Sequence, residues 1–383
     1  MRQPDKKLAS VSLSPGNCTE REVSMVLPKR MKAVVVHGVE DYRLEEVPVP
    51  QVGPGEVLVR IKATGVCASD VKTYYGARVW GSEQIEPYIE TPVIAGHEFV
   101  GEVVALGEGA GEKYGLALGD LAVSEQIVPC WQCRFCKRGQ YWMCQRHDIY
   151  GFKHGRAEGS WAEYMKFPAN AINYKVPSEV KPEHAALVEP LACAIHAVER
   201  GEIQLGDVVV IAGMGPIGLC MLQIARLKSP GLLIALDLQP KRLALARELG
   251  ADLALNPAEE DVVQRVLDLT DGYGCDVYIE VTGAGAGVIQ GLKMIRKLGT
   301  FVEFSVHAGP VPVDWSIIGD QKELNVHGAH LSPYCYPRAI HYIADGTVAA
   351  DKIVTHVLPL ERFEEAIELV HSQAESVKVV LIP

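Results

Sequence analysis

The sequence predicts an α/β protein in two parts, an all-β barrel followed by a doubly wound parallel sheet. From Lys32 to about Pro177, short apolar runs such as "EVLVRIKATGV" and "FVGEVVALG" are broken by Gly and Pro, the spacing expected of a compact barrel. After about Glu183 strands alternate with helical runs, which implies parallel strands joined by crossover helices. The length of 383 residues fits two or three domains.

Taken in order, residues 1–30 are polar and aperiodic and read as an extension with no assigned role. "MKAVVV", beginning at Met31, starts the first strand, and "SWAEYMKF" is among the last strands of the barrel. "DVVVIAG" then leads into a helix from Pro216 to Lys228. "LLIALD" leads into "QPKRLALARELGA", with Pro240 in the first turn and Gly250 as the stop. "CDVYIEV" precedes a helical run from about Gly285 to Leu298, followed by the strand "GTFVEFSV". Near Pro337 the pattern becomes mixed again and ends on the helix "ERFEEAIELVHS" and the apolar run "VKVVLI".

Hydrophobic residues make up 48% and charged residues 22% of the chain, the balance of a soluble globular protein. A net charge of −11 argues against partners that are nucleic acid or anionic membrane, since those need a basic face. Val208 to Ala225 carries no charge and reaches the length of a spanning helix, but three glycines and a proline interrupt it. The N-terminus lacks the apolar core of a secretory signal, so a reducing cytoplasm is expected.

Cys130, Cys133, Cys136 and Cys144 are spaced C-x2-C-x2-C-x7-C within polar, aromatic and basic residues. Disulfides are not expected in that compartment, and the last gap and following Gln145 do not match a bacterial iron–sulfur run. A closed tetrahedral zinc site of four thiolates remains, structural in role; the alternative is loop cysteines without a ligand.

"GMGPIG" places Gly213, Gly215, Pro216, Ile217 and Gly218 directly after a strand and at the start of a helix. In that context the glycines allow the tight turn, the approach of a pyrophosphate and close helix packing of a Rossmann dinucleotide site. The helix N-terminus offers unpaired N–H groups to the phosphates. Asp237, at the end of the next strand, would accept bonds from the adenosine ribose and repel a 2′-phosphate, which favours NAD over NADP. Arg242 is expected to stack on or line the adenine. The plain alternative is a glycine-rich turn without a ligand.

A nicotinamide needs a partner that manages a proton, and three segments offer candidates. "GVCASD" contributes Cys67, Ser69 and Asp70; "AGHEFVG" contributes His97 and Glu98; "LVEPLACAIHA" contributes Glu189. Singly each is ordinary, because a lone Cys or His is usually a satisfied core residue. Together they match a catalytic zinc with mixed ligands and an open position. Ser69 would take the first proton, and Asp70 would orient the His97 ring.

These motifs together resemble the zinc-containing medium-chain alcohol and polyol dehydrogenases, such as sorbitol dehydrogenase and threonine 3-dehydrogenase. The resemblance runs from about Met31 to the C-terminus. It implies a GroES-like catalytic barrel over 31–187, a Rossmann NAD-binding domain over 188–335, and a return to the barrel over 336–383. It also implies that Cys67 and His97 ligate the catalytic zinc, that Glu98 and Glu189 supply or exchange the carboxylate, and that the chain assembles as a dimer or tetramer. Glutamate at 189 is the residue of the polyol and threonine enzymes.

Three departures stand out. Lys72 occupies the place of the family's outer-relay histidine. Leu331 and Ser332 stand where sorbitol dehydrogenases have an Arg–Tyr pair, which points away from sorbitol. The segment from Tyr74 to Pro92 is longer than usual, and Tyr74, Tyr75 and Trp80 are candidates either for the cleft mouth or for packing.

The expected activity is hydride transfer from a secondary hydroxyl of a tetritol or pentitol to NAD, giving a ketose. L-threonine or another alcohol is the alternative substrate. A non-catalytic nucleotide-binding protein and a zinc-independent reductase are the rivals from other classes.

Overall fold

The computed structural model describes residues 27–82, 85–372 and 376–383. Most of the extension expected over residues 1–30 therefore lies outside the described residues.

In the N-terminal half, strand Val57–Val66 is the hub of a seven-stranded sheet. It pairs antiparallel with Phe99–Leu106, with Tyr164–Phe167 and with the C-terminal strand Lys378–Ile382. Val57, Val59 and Ile61 pack with Phe99, Met165 and Phe167 in the barrel core. Every second residue of the strand thus faces the same interior. Strand Val354–Pro359 extends this sheet through Lys378–Ile382, so the end of the chain is built into the barrel.

The other half is a six-stranded sheet, parallel at every pairing. From one edge the strands run Leu253–Leu255, Leu232–Leu236, Val208–Ala212, Cys275–Glu280, Ile295–Glu303 and Asn325–Gly328. Alternate side chains supply two cores. Val209, Ile211, Leu233 and Ala235 face the helices Val188–Arg200, Pro216–Arg226 and Pro240–Glu248. Val210, Ala212, Ile234 and Leu236 face Val262–Leu269 and Gly285–Met294. Helices on both faces explain why the strands read as continuous apolar runs. The strand order reverses beside Val208–Ala212, where ligands of such sheets bind. The uncharged run from Val208 to Ala225 is thus a strand, a glycine turn and a helix, and among the described residues no helix is long and apolar enough to cross a membrane.

One difference from the sequence reading has a local cause. Helix Gly285–Met294 stops at Met294 because Ile295 turns extended and pairs with Cys275. The helix Tyr336–Ala344 packs beneath helix Val188–Arg200, and its Tyr336, Ala339, Ile340 and Ile343 join a core that also takes in Ala63, Val100, Val123 and Val176 of the barrel.

Candidate active site

Cys67 ends the hub strand's run and caps helix Ala68–Tyr74. The sequence "CASD" forms a capping box, in which Asp70 Oδ2 accepts the Cys67 N–H at 2.9 Å. This one bond explains why the thiol sits fixed at a strand–helix junction. His97 follows Gly96, whose positive φ of 92° and lack of a Cβ let the turn lie against the ring of Trp161. Cys67 Sγ, a ring nitrogen of His97 and a carboxylate oxygen of Glu98 all lie within 4.8 Å of one another. Ser69 Oγ stands 3.4 Å from His97 Nε2. Asp70 Oδ1 lies 3.3 Å from His97 Nδ1, a charge contact without the alignment of a hydrogen bond, and Nδ1 has no other partner. Burial pulls the His97 pKa down, but the negative charge of Asp70 and the contact with Cys67 outweigh it and hold it well above the usual value. The field at this point favours positive charge. A soft thiolate, an imidazole and a carboxylate are zinc donors, and three of them leave one position open, so the residues fit a catalytic zinc.

Two buried charges frame the set. Glu98 is paired with Lys378 of the C-terminal strand, whose Nζ also donates to the Val66 carbonyl at 3.1 Å. Glu189 opens helix Val188–Arg200, where an acid suits the helix dipole. It stands outside the 4.8 Å donor set, because its Oε1 accepts from Gln126 Nε2 at 2.5 Å and from the Cys193 thiol at 3.4 Å. Burial, then the charge of Glu98, pushes its pKa up to about 7.

The cysteine lobe is built from one stretch of chain, with short helical turns at Cys136–Arg138 and Tyr141–Met143. All four sulfurs lie within 4.8 Å of one another, with separations of 3.5 Å for Cys133–Cys136 and 4.0 Å for Cys130–Cys136. A tetrahedron with ~2.3 Å zinc–sulfur bonds has edges of about 3.8 Å. The lobe fits. Backbone N–H groups of Cys136 and Gln145 hold the Cys133 thiol down at about 6, the thiolate form a metal requires. No disulfide occurs among the described cysteines.

At the switch point, Gly213 has φ of 103°, and a Cβ on Gly218 would overlap the Gly213 carbonyl. Pro216 and Ile217 begin the helix that follows. Asp237 is drawn into the loop: its carboxylate accepts the N–H groups of Met214 and Gln239, both at 2.7 Å. A guanidinium nitrogen of Arg242 lies 4.0 Å from the Cβ position of Gly215, and another donates to the Ser376 carbonyl at 3.4 Å. The arginine therefore covers the glycine turn. Lys72 spans the cleft and donates to the Val306 carbonyl at 2.9 Å.

Tyr74 and Trp80 are packing residues. Tyr74 lies edge-on to Tyr42 at 5.1 Å, and the Trp80 indole N–H donates to the Thr73 carbonyl at 2.7 Å. Tyr75 sits against His371. Phe152 is the aromatic next to the donor set, 5.9 Å from the His97 ring. Sequence reasoning also missed Gln126 and Lys378 and left Cys193 without a role. Only Lys378 had a usable signal, a lone charge inside the apolar run "VKVVLI". A further acid–histidine group, Glu280, Glu303 and His307, is tied into its own loops: Glu280 accepts the Thr282 N–H and Glu303 the Ser305 N–H.

A family model described as an alcohol dehydrogenase GroES-like domain matches residues 53–178, and one described as a zinc-binding dehydrogenase matches residues 216–345. The chain is 55% identical over 362 residues to the erythritol/L-threitol dehydrogenase of Mycolicibacterium smegmatis, covering 94% of this chain and all of that one. It is 36% identical over 346 residues to an L-threonine 3-dehydrogenase of Pyrococcus abyssi, covering 89% of this chain and 94% of that one. A zinc-binding dehydrogenase from Sinorhizobium meliloti 1021, solved bound to NADP, superposes with a TM-score of 0.83 at 29% identity, covering 93% of this chain and all of that one. With a barrel and a doubly wound sheet in the expected order and this similarity along nearly the whole chain, the protein belongs to the zinc-binding alcohol dehydrogenases.

Proposed function

We propose that the protein oxidises a secondary hydroxyl of a short polyol, a tetritol or pentitol, to a ketose with NAD as hydride acceptor. The observation that carries this is the three-donor set of Cys67, His97 and Glu98 with the Ser69 hydroxyl beside it. Zinc held there supplies Lewis-acid polarisation of a hydroxyl, and bound NAD supplies the hydride-accepting ring. Ser69 Oγ takes up the hydroxyl proton as it releases its own toward solvent, so it acts as a relay and not as the final base. Asp70 holds both ends of the site, the Cys67 N–H by a hydrogen bond and the His97 ring by charge. Gly213, Gly215 and Gly218 seat the pyrophosphate, and the charge of Asp237 opposes a 2′-phosphate by a few kcal/mol, on the order expected at intermediate dielectric.

The substrate class rests on the similarity to the erythritol/L-threitol enzyme together with Leu331 and Ser332, which replace the Arg–Tyr pair that the resemblance gives to sorbitol dehydrogenases. A cytoplasmic location is inferred from the free thiols, and assembly as a homodimer or homotetramer from the family.

The test is to incubate the purified enzyme with NAD or NADP and erythritol, threitol, xylitol, sorbitol, L-threonine or simple alcohols, and to follow reduced cofactor. NADH formation with the four- and five-carbon polyols is expected. Turnover of L-threonine alone would replace the polyol reading, and turnover with NADP alone would overturn the role of Asp237.

A further inference from the structure

We propose that Gln126 is a positioning residue that holds Glu189 clear of the catalytic donor set, with Ser332 and Tyr336 fixing the orientation of its amide. The proposal rests on the reading of Cys67, His97 and Glu98 as a zinc site.

Gln126 is 2% exposed, and each end of its amide is engaged. Its Oε1 accepts from Ser332 Oγ at 3.0 Å and from Tyr336 Oη at 3.3 Å. Its Nε2 donates to Glu189 Oε1 at 2.5 Å and to Cys193 Sγ at 3.3 Å. Ser332 and Tyr336 are each 1% exposed, so water does not compete at those hydroxyls. Turning the amide over would set its oxygen against the Glu189 carboxylate, a repulsion that two weaker hydroxyl contacts do not offset. Only one orientation therefore satisfies the whole network.

The consequence concerns the open coordination position. Glu189, 8% exposed and the second carboxylate that the sequence offers to the metal, is a ready extra ligand if it is freed from its present bonds. If it joined, four protein donors would close a tetrahedral site that needs a vacancy for substrate. A charge-assisted bond to Gln126 opposes that movement. The same contacts explain Ser332: it is turned inward to the amide.

The test uses enzyme with zinc in the cysteine lobe and cobalt in the catalytic set, comparing wild type with Q126L, S332A, Y336F and Q126L/E189Q. Three quantities are read: the visible cobalt spectrum, the rate of catalytic-ion release to a chelator, and the kinetic constants. Q126L is expected to change the cobalt bands, to slow ion release by roughly tenfold or more, and to lower kcat while the KM for NAD stays, in the range seen when groups behind metal ligands are altered. Q126L/E189Q is expected to return the spectrum and release rate toward wild type, because a neutral amide is a poorer ligand. S332A and Y336F should shift both readouts in the same direction by less, and they decide the matter if Q126L does not fold. An unchanged spectrum and release rate in Q126L, S332A and Y336F, with two ions per chain, would overturn the clamp and leave the zinc reading intact. One ion per chain in the wild type, held by the cysteine lobe, would overturn both.

Discussion

The cysteine lobe and the catalytic donor set both suit zinc, yet the chain builds them in opposite ways. The lobe draws four like ligands from fifteen consecutive residues, and its loop ties itself together through N–H groups donated to sulfur, as from Cys133 to Cys130 at 3.3 Å and from Gln145 to Cys133 at 3.4 Å. The donor set draws unlike ligands from a helix cap and a glycine turn, and its surroundings from a helix start and the last strand of the chain. Local assembly gives a closed site whose binding energy serves folding. Distributed assembly leaves a gap that the fold must keep open, and it needs helpers such as Lys378 and Gln126.

The largest expected effect tests the structural side of that contrast. C136S should reduce zinc content from two ions to one and lose a stabilisation of roughly 10 kcal/mol, read as a collapse in soluble yield or a large drop in Tm. C67S should also leave one ion by elemental analysis, but with polyol oxidation abolished and Tm lowered by only a few degrees, about 1–2 kcal/mol. If both variants unfold alike, the distinction between the two sites fails.

K378M comes next. In metal-free enzyme it leaves the Glu98 carboxylate buried without its ammonium partner, and removing one partner of such a pair costs about 3–5 kcal/mol in denaturant unfolding. Lys378 and Glu98 are 2% and 1% exposed, so solvent cannot take the place of the lost partner. A loss below about 1 kcal/mol would mean that the pair behaves like a surface ion pair.

A pH-dependent effect on stability lies beside the lobe. Glu125 is buried, which pushes its pKa up to about 7 despite donated bonds from Tyr141 at 2.9 Å and Tyr174 at 2.8 Å. An unfolded glutamate titrates near 4.5. Between these values the folded protein holds a proton that the unfolded chain has released, so stability falls as pH rises through the window. E125Q should match wild type at pH 4 and exceed it at pH 8 by up to about 3 kcal/mol, measured as Tm against pH. Parallel curves would show that folding leaves the affinity of Glu125 for its proton unchanged.

The difference in assembly also explains what could be read from the chain. Spacing alone announced the lobe and the glycine turn, because each is a local structure whose ligands or glycines sit at fixed intervals. The capping box at Cys67 was equally local, though only the folded chain showed that Asp70 serves both the cap and His97. Tyr74 and Trp80 remained ambiguous because an aromatic beside a cleft and an aromatic under it look the same in one dimension.

Residue types and their periods, by themselves, determined the two-part architecture, the four-thiolate lobe, the nucleotide turn and the list of catalytic candidates. Only tertiary structure decided that Glu98 stands with Cys67 and His97 while Glu189 is tied to Gln126, and that a lysine 280 residues beyond Glu98 balances its charge. The physical reason is that a buried charge is settled by whatever partner the fold brings within reach, and strand pairing and helix packing set that reach across any separation in the chain.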